Sequence, residues 1–133
     1  MKLVLDTSGY SQFVCRAKPA LAVVKKAKSI HLPIVTWSEL QAGFSLGTQR
    51  AANERLLQQF IDSWAVKIIE IRREVGRLYT DCFTSLRQRG RPIPTNDIWI
   101  AACCQFVGGT LLTADQHFLS VNRLAVEFVG EAD

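Results

Sequence analysis

Five short apolar runs, separated by stretches with helical periodicity, constrain this chain more than any other feature. Lys2–Leu5, Leu32–Val35, Val66–Ile71, Thr110–Leu112 and Leu124–Phe128 have the aliphatic and β-branched content of short buried strands. The spacing between them predicts helices over Gly9–Cys15, from Pro19 to about Lys28, and over Thr36–Leu46, Arg50–Trp64, Glu74–Arg89, Ile98–Val107 and Ala114–Leu119. Thr7 and Ser8 are suitable N-caps for the first helix, Gly47 suits the end of the third, and Gly108–Gly109 breaks the sixth. Gly90, Pro92 and Pro94 make the segment before Ile98 a loop. Strands that alternate with helices pair in parallel, and strands without polar alternation need cover on both faces. The pattern therefore predicts an α/β fold with a central parallel sheet between helical layers. No linker, repeat or low-complexity segment divides residues 1–133, which predicts one domain.

Composition narrows the class. With 133 residues, 48% hydrophobic and 21% charged, the chain can bury a core without disulfide or zinc staples. No uninterrupted apolar run approaches the roughly 20 residues of a membrane span. Asp6 ends the first run short of a signal-peptide core of about 7–15 residues, so the expected location is the cytoplasm. Cys15, Cys82, Cys103 and Cys104 show no C-x-x-C spacing and are expected to be buried free thiols. His31 and His117 lack an H-x-x-x-H partner, so a His/Cys metal site is not expected.

Four acids fall at junctions between these elements. Asp6 closes MKLVL, Glu39 follows LPIVTW, Asp97 opens TNDIWIAA, and Asp115 comes shortly after TLL. In a parallel sheet the carboxyl ends of the strands share one edge, and ligands bind in the crevice there. Each acid alone has a structural explanation. Thr36-x-x-Glu39 fits a capping box, Asp6 can cap its own following helix, and Asp97 and Asp115 fit first helical turns behind Thr95 or Asn96 and behind Thr113. Together, carboxylates drawn into apolar surroundings repel, and their pKa values rise unless a cation neutralises them. Hard oxygen donors select magnesium or manganese over zinc, and such an ion suits hydrolysis of a phosphodiester. Ser8, Asn96 and Thr113 are placed to hydrogen-bond waters around it.

The formal charge is +4, and 16 basic side chains against the eight acids outside the four leave the remainder at +8. The excess concentrates in Arg72, Arg73, Arg77, Arg87, Arg89 and Arg91, which face only Glu74 and Asp81. Two explanations stand side by side: a polyanionic partner, and a solvated helix with a basic C-terminal turn.

The blocks VLDTS, TWSELQAGF, PTNDIWIAA and LLTADQHF resemble, in order and over essentially the whole chain, the four signature blocks of the PIN-domain family. More narrowly they resemble the VapC-type ribonuclease toxins of bacterial toxin–antitoxin pairs. The resemblance implies a three-layer α/β/α sandwich with an acidic pocket for Mg2+ or Mn2+. It maps Asp6, Glu39, Asp97 and Asp115 onto the catalytic quartet, with Asp6, Asp97 and Asp115 as metal ligands and Glu39 orienting or activating water. Ser8 and Thr113 match hydroxyl positions beside that quartet. Some relatives carry a further acid after the fourth; here Gln116, His117 and Phe118 follow, which leaves a second metal without that ligand.

The expected activity is metal-dependent endoribonuclease cleavage by water attack, with Arg89 and Arg91 as candidates for RNA backbone contacts. The resemblance also implies a homodimer and a small antitoxin lying over the pocket. Trp37, Phe44 and Trp99 fit such a surface, although aromatics at helical spacing are more often core. The alternative is a non-catalytic PIN-like module for RNA binding or protein assembly, which the presence of all four acids does not favour. Receiver-type and haloacid-dehalogenase sites want a second acid close to Asp6, where Thr7 and Ser8 stand.

Overall fold

Residue alternation along the central strands decides the layers. The computed structural model describes residues 1–130. Its strands are β1 (Lys2–Leu5), β2 (Ser29–Pro33), β3 (Lys67–Ile69), β4 (Thr110–Thr113) and β5 (Ala125–Phe128). Its helices are α1 (Thr7–Val14), α2 (Lys18–Lys26), α3 (Ile34–Leu46), α4 (Arg50–Ser63), α5 (Arg73–Gln88) and α6 (Thr95–Val107), and a 3-10 turn spans Gln116–Ser120. All strand pairs are parallel, in the order β3-β2-β1-β4-β5. Leu3 and Leu5 of β1 and Leu112 of β4 enter a core with Tyr10, Val24, Leu40, Leu57 and Phe60 from α1 to α4. Val4 and Leu111 point the other way, against Val75 and Leu86 of α5 and Ile98–Cys104 of α6. Side chains two apart share a face, so two apolar layers form around one sheet. The result is the expected three-layer α/β/α sandwich.

Two glycines fix close contacts. At Gly9 a Cβ would lie 2.1 Å from the Leu112 carbonyl oxygen, so glycine lets α1 press against the end of β4. Gly108 ends α6 with φ 67°, in the left-handed region that glycine adopts without strain. The Gly109 N–H then donates to the Cys104 carbonyl at 3.0 Å.

Several boundaries differ from the sequence expectation. The apolar run Leu32–Val35 is shared between two elements: β2 ends at Pro33 and α3 begins at Ile34. A continuous apolar run cannot distinguish a buried strand from a buried helix. The third strand is shorter than Val66–Ile71, being Lys67–Ile69. Helix α6 starts at Thr95, immediately after Pro94, rather than at Ile98. The expected helix Ala114–Leu119 is the 3-10 turn, capped by Asp115. Asp6, not Thr7 or Ser8, caps α1. Cys82, Cys103 and Cys104 are buried free thiols, whereas Cys15 is free and exposed. Among the described residues no helix is long and apolar enough to cross a membrane.

The strand order places a topological switch point between β1 and β4, because the chain builds outward from β1 on one side and through β4 to β5 on the other. Crevices beyond the carboxyl ends at such points are where open α/β sheets bind ligands.

Candidate metal centre

Asp6 and Thr113 stand just beyond and at the ends of the two strands at the switch point, with Leu5 in register with Leu112. Asp6 is buried, and its Oδ1 accepts from the Gly9 N–H at 2.7 Å. Ser8 Oγ lies 2.9 Å from both carboxylate oxygens, and Thr113 Oγ1 donates to Oδ2 at 2.6 Å. The same two hydroxyls accept backbone N–H groups, Ser8 from Ala114 and Thr113 from Asp115, each at 2.9 Å. Ser8 and Thr113 thus tie the β1 and β4 exits together around one carboxylate. Three donor hydrogens meet a group with about four lone-pair sites, which leaves one acceptor position on Asp6. Desolvation raises its pKa above 3.8, the hydrogen bonds from Thr113, Gly9 and Ser8 pull it back, and Asp115 pushes it up again.

Glu39 reaches the same edge from α3. The capping box read from Thr36 and Glu39 does not form: α3 begins before Thr36, whose buried hydroxyl donates to the Leu5 carbonyl at 3.1 Å. Glu39 is therefore free to accept from Thr7 Oγ1 at 3.0 Å and from Asn96 Nδ2 at 3.3 Å. Asn96 thus bonds Glu39 directly.

Asp97, in the first turn of α6, meets the turn that follows β4. His117 Nδ1 lies 3.2 Å from Asp97 Oδ2 and 3.3 Å from Asp115 Oδ1. Asp115 Oδ1 also accepts the His117 N–H at 2.9 Å, which caps the 3-10 turn and fixes the spacing of the two side chains. One donor atom from each of Asp97, Asp115 and His117 lies within 4.8 Å of the others. Burial raises the pKa of Asp97, the hydrogen bond and charge of His117 lower it, and Asp115 and Glu39 raise it. Electrostatic coupling therefore runs from Asp6 to Asp115, from Asp115 to Asp97, and from Asp97 to Glu39.

A family model described as the PIN domain matches residues 3–124. The chain belongs to the PIN-domain family. A search of curated proteins finds no match to the sequence. Solved structures share the PIN-domain fold over nearly its whole length. A chain of VapBC2 from Rickettsia felis bound to a promoter DNA fragment superposes with a TM-score of 0.84 at 24% identity, covering 96% of this chain and 98% of that one. VapBC-1 from nontypeable Haemophilus influenzae gives 0.84 at 21% identity, with coverage of 96% and 98%. VapBC-5 of Mycobacterium tuberculosis, a member of a family of toxin–antitoxin systems, gives 0.75 at 25% identity over 98% of both chains.

All four acids of this PIN domain meet at one sheet edge, but they do not form one group. Asp6 is held by Ser8, Gly9 and Thr113, Glu39 by Thr7 and Asn96, and Asp97 and Asp115 by His117. His117 was hidden by looking for a second histidine, since its partners are carboxylates; its place two residues after Asp115 was the available signal. Two carboxylates, of which Asp115 raises the proton affinity of Asp97, joined by an imidazole, make a donor set that fits a divalent cation. Both arginines are exposed: Arg89 donates from Nη2 to the Ser120 carbonyl at 2.6 Å, and Arg91 stands in the loop before α6. Trp37 and Phe44 pack against the core under α1–α4, and Trp99 stacks on Tyr79 with centroids 4.1 Å apart.

Proposed function

We propose that this chain is a divalent-metal-dependent endoribonuclease, a single nuclease domain acting as the toxin of a toxin–antitoxin pair. The observation that carries this reading is the meeting of donor atoms from Asp97, Asp115 and His117 at the switch-point edge of a PIN domain. Those three residues would hold magnesium or manganese, and Asp6, which keeps one acceptor position, is the further ligand that the family resemblance would add. Such an ion, when bound, would supply a water of lowered pKa and would offset charge on the phosphate and the leaving oxygen. Glu39, pinned between Thr7 and Asn96, orients the attacking water and receives its proton. Ser8 and Thr113 keep Asp6 in place and work against burial by favouring its charged form, because they donate to its carboxylate. Arg91, exposed in the loop ahead of α6, would meet an RNA phosphate.

An imidazole donor favours manganese over magnesium, since magnesium prefers oxygen and holds its waters tightly. The likeness to VapBC-5, a member of a family of toxin–antitoxin systems, supports a small antitoxin as partner; a homodimer acting in the cytoplasm is the assembly and location that the family resemblance implies. Cleavage of a mixed cellular RNA pool, with and without Mn2+, beside folded Asp97→Asn protein tests the mechanism. Equal cleavage in every arm would discard it. RNA binding with no metal-dependent cleavage would instead fit the non-catalytic RNA-binding module.

A further inference from the structure

The turn that carries Asp115 and His117 is held at its far end by a side chain from a neighbouring helix, and we propose that Arg89 is a positioning residue for the metal centre. The inference rests on the reading of Asp97, Asp115 and His117 as metal ligands. Arg89 closes α5. Its Nη2 donates to the Ser120 carbonyl at 2.6 Å, and its Nε to Ser85 Oγ at 3.3 Å. Ser120 is the last residue of the 3-10 turn whose cap is Asp115. Carbonyls at the end of a helical turn lack partners within it, and a cation there both satisfies one and faces the negative end of the dipole. A guanidinium thus closes one end of the turn as the Asp115 carboxylate closes the other. Asn122 Nδ2 adds a bond to Ser85 Oγ at 3.3 Å, and Gln105 Nε2 one to the Asn122 carbonyl at 3.0 Å. Helices α5 and α6 therefore grip the same segment, and α6 also presents Asp97.

Packing alone does not hold this segment. Phe118 and Val121 are buried, but a cavity of about 420 Å3 opens beside Val121, lined also by Leu78, Ser85, Leu86, Gln105 and Asn122. Arg123 follows in the left-handed region at φ 61°, which strains a residue with a side chain. A strained segment that borders a void keeps its place through polar bonds. Metal ligands tolerate displacements of only about 0.2 Å, so a loosened Ser120 carbonyl would be felt at His117, three residues away.

Amide hydrogen exchange on the intact, metal-free protein and calorimetric titration with Mn2+ test this, using Arg89→Ala, Arg89→Lys and Ser85→Ala. Lysine keeps the charge that an RNA phosphate needs but not the fork that reaches Ser120 and Ser85 together. Both Arg89 variants should exchange the His117 and Val121 amides about tenfold faster, with β1 and β4 unchanged, and bind Mn2+ about tenfold more weakly. Ser85→Ala, which removes one arm, should fall between them and the parent, and it decides the matter if Arg89→Ala does not fold. Unchanged exchange over residues 115–121, unchanged Mn2+ affinity, or full rescue by lysine would overturn the proposal. If the parent protein binds no Mn2+, the metal reading fails on its own, while the exchange data still decide whether Arg89 braces the turn.

Discussion

Burial raises the pKa of Asp6 and of Asp97 above 3.8, and Asp115 adds to the rise at both. A carboxyl whose folded pKa lies above its unfolded value gives stability that is full below the unfolded pKa and is lost as pH rises through the folded one. The metal-free protein should therefore forfeit stability as pH rises above about 4. In chelator at pH 7, Asp97→Asn should melt at a higher temperature than the parent, with the gap closing toward pH 4, while metal-dependent cleavage falls more than about a hundredfold. A lower midpoint at pH 7 would refute the account of mutual repulsion. His117→Ala should weaken Mn2+ binding at least tenfold and narrow the preference for Mn2+ over Mg2+, both readable by calorimetry. At this scale the four acids were legible because each interrupts an apolar element. His117 was not, because its partners are carboxylates rather than a second histidine, and its one local mark was its place two residues after Asp115.

Helix α1 is the element that joins the site to the sheet. It begins on Asp6, and Gly9 brings it against the Leu112 carbonyl. Gly9→Ala should cost about 1–3 kcal/mol in chemical denaturation, since backbone rather than a flexible side chain stands where the methyl group must go. One turn along, the Tyr10 hydroxyl is buried with no hydrogen-bond partner. Tyr10→Phe should therefore leave stability unchanged or raise it by up to about 1 kcal/mol; a loss beyond that would mean the hydroxyl has a partner in solution. Helices α4 and α5 lie within a residue or two of their expected bounds because their apolar stripes repeat at 3.6 residues. The β2–α3 junction was misplaced because Pro33 turns a continuous apolar run from strand into helix. The capping box at Thr36 failed for a tertiary reason: its hydroxyl is drawn to the Leu5 carbonyl.

For the whole molecule, the switch point between β1 and β4 gathers candidate ligands that the sequence scatters. A cation bound there binds only the folded chain. Mn2+ at about one hundred times its dissociation constant should add about 2.7 kcal/mol of stability, a rise in melting temperature on the order of 10 °C, absent in Asp97→Asn. The sheet class and its helical layers were legible from alternation alone, but the strand order was not, because neighbours in a parallel sheet leave no mark of register in sequence. The hydrogen bond from Thr113 to Asp6 spans 107 positions. A ribosome extends a chain from its N-terminus at about 5–20 residues per second, so Asp6 emerges several seconds or more before its partner exists. On the proposed nuclease reading, the nascent chain should leave the RNA around it intact for most of its synthesis, and its site should assemble only when β4 inserts beside β1.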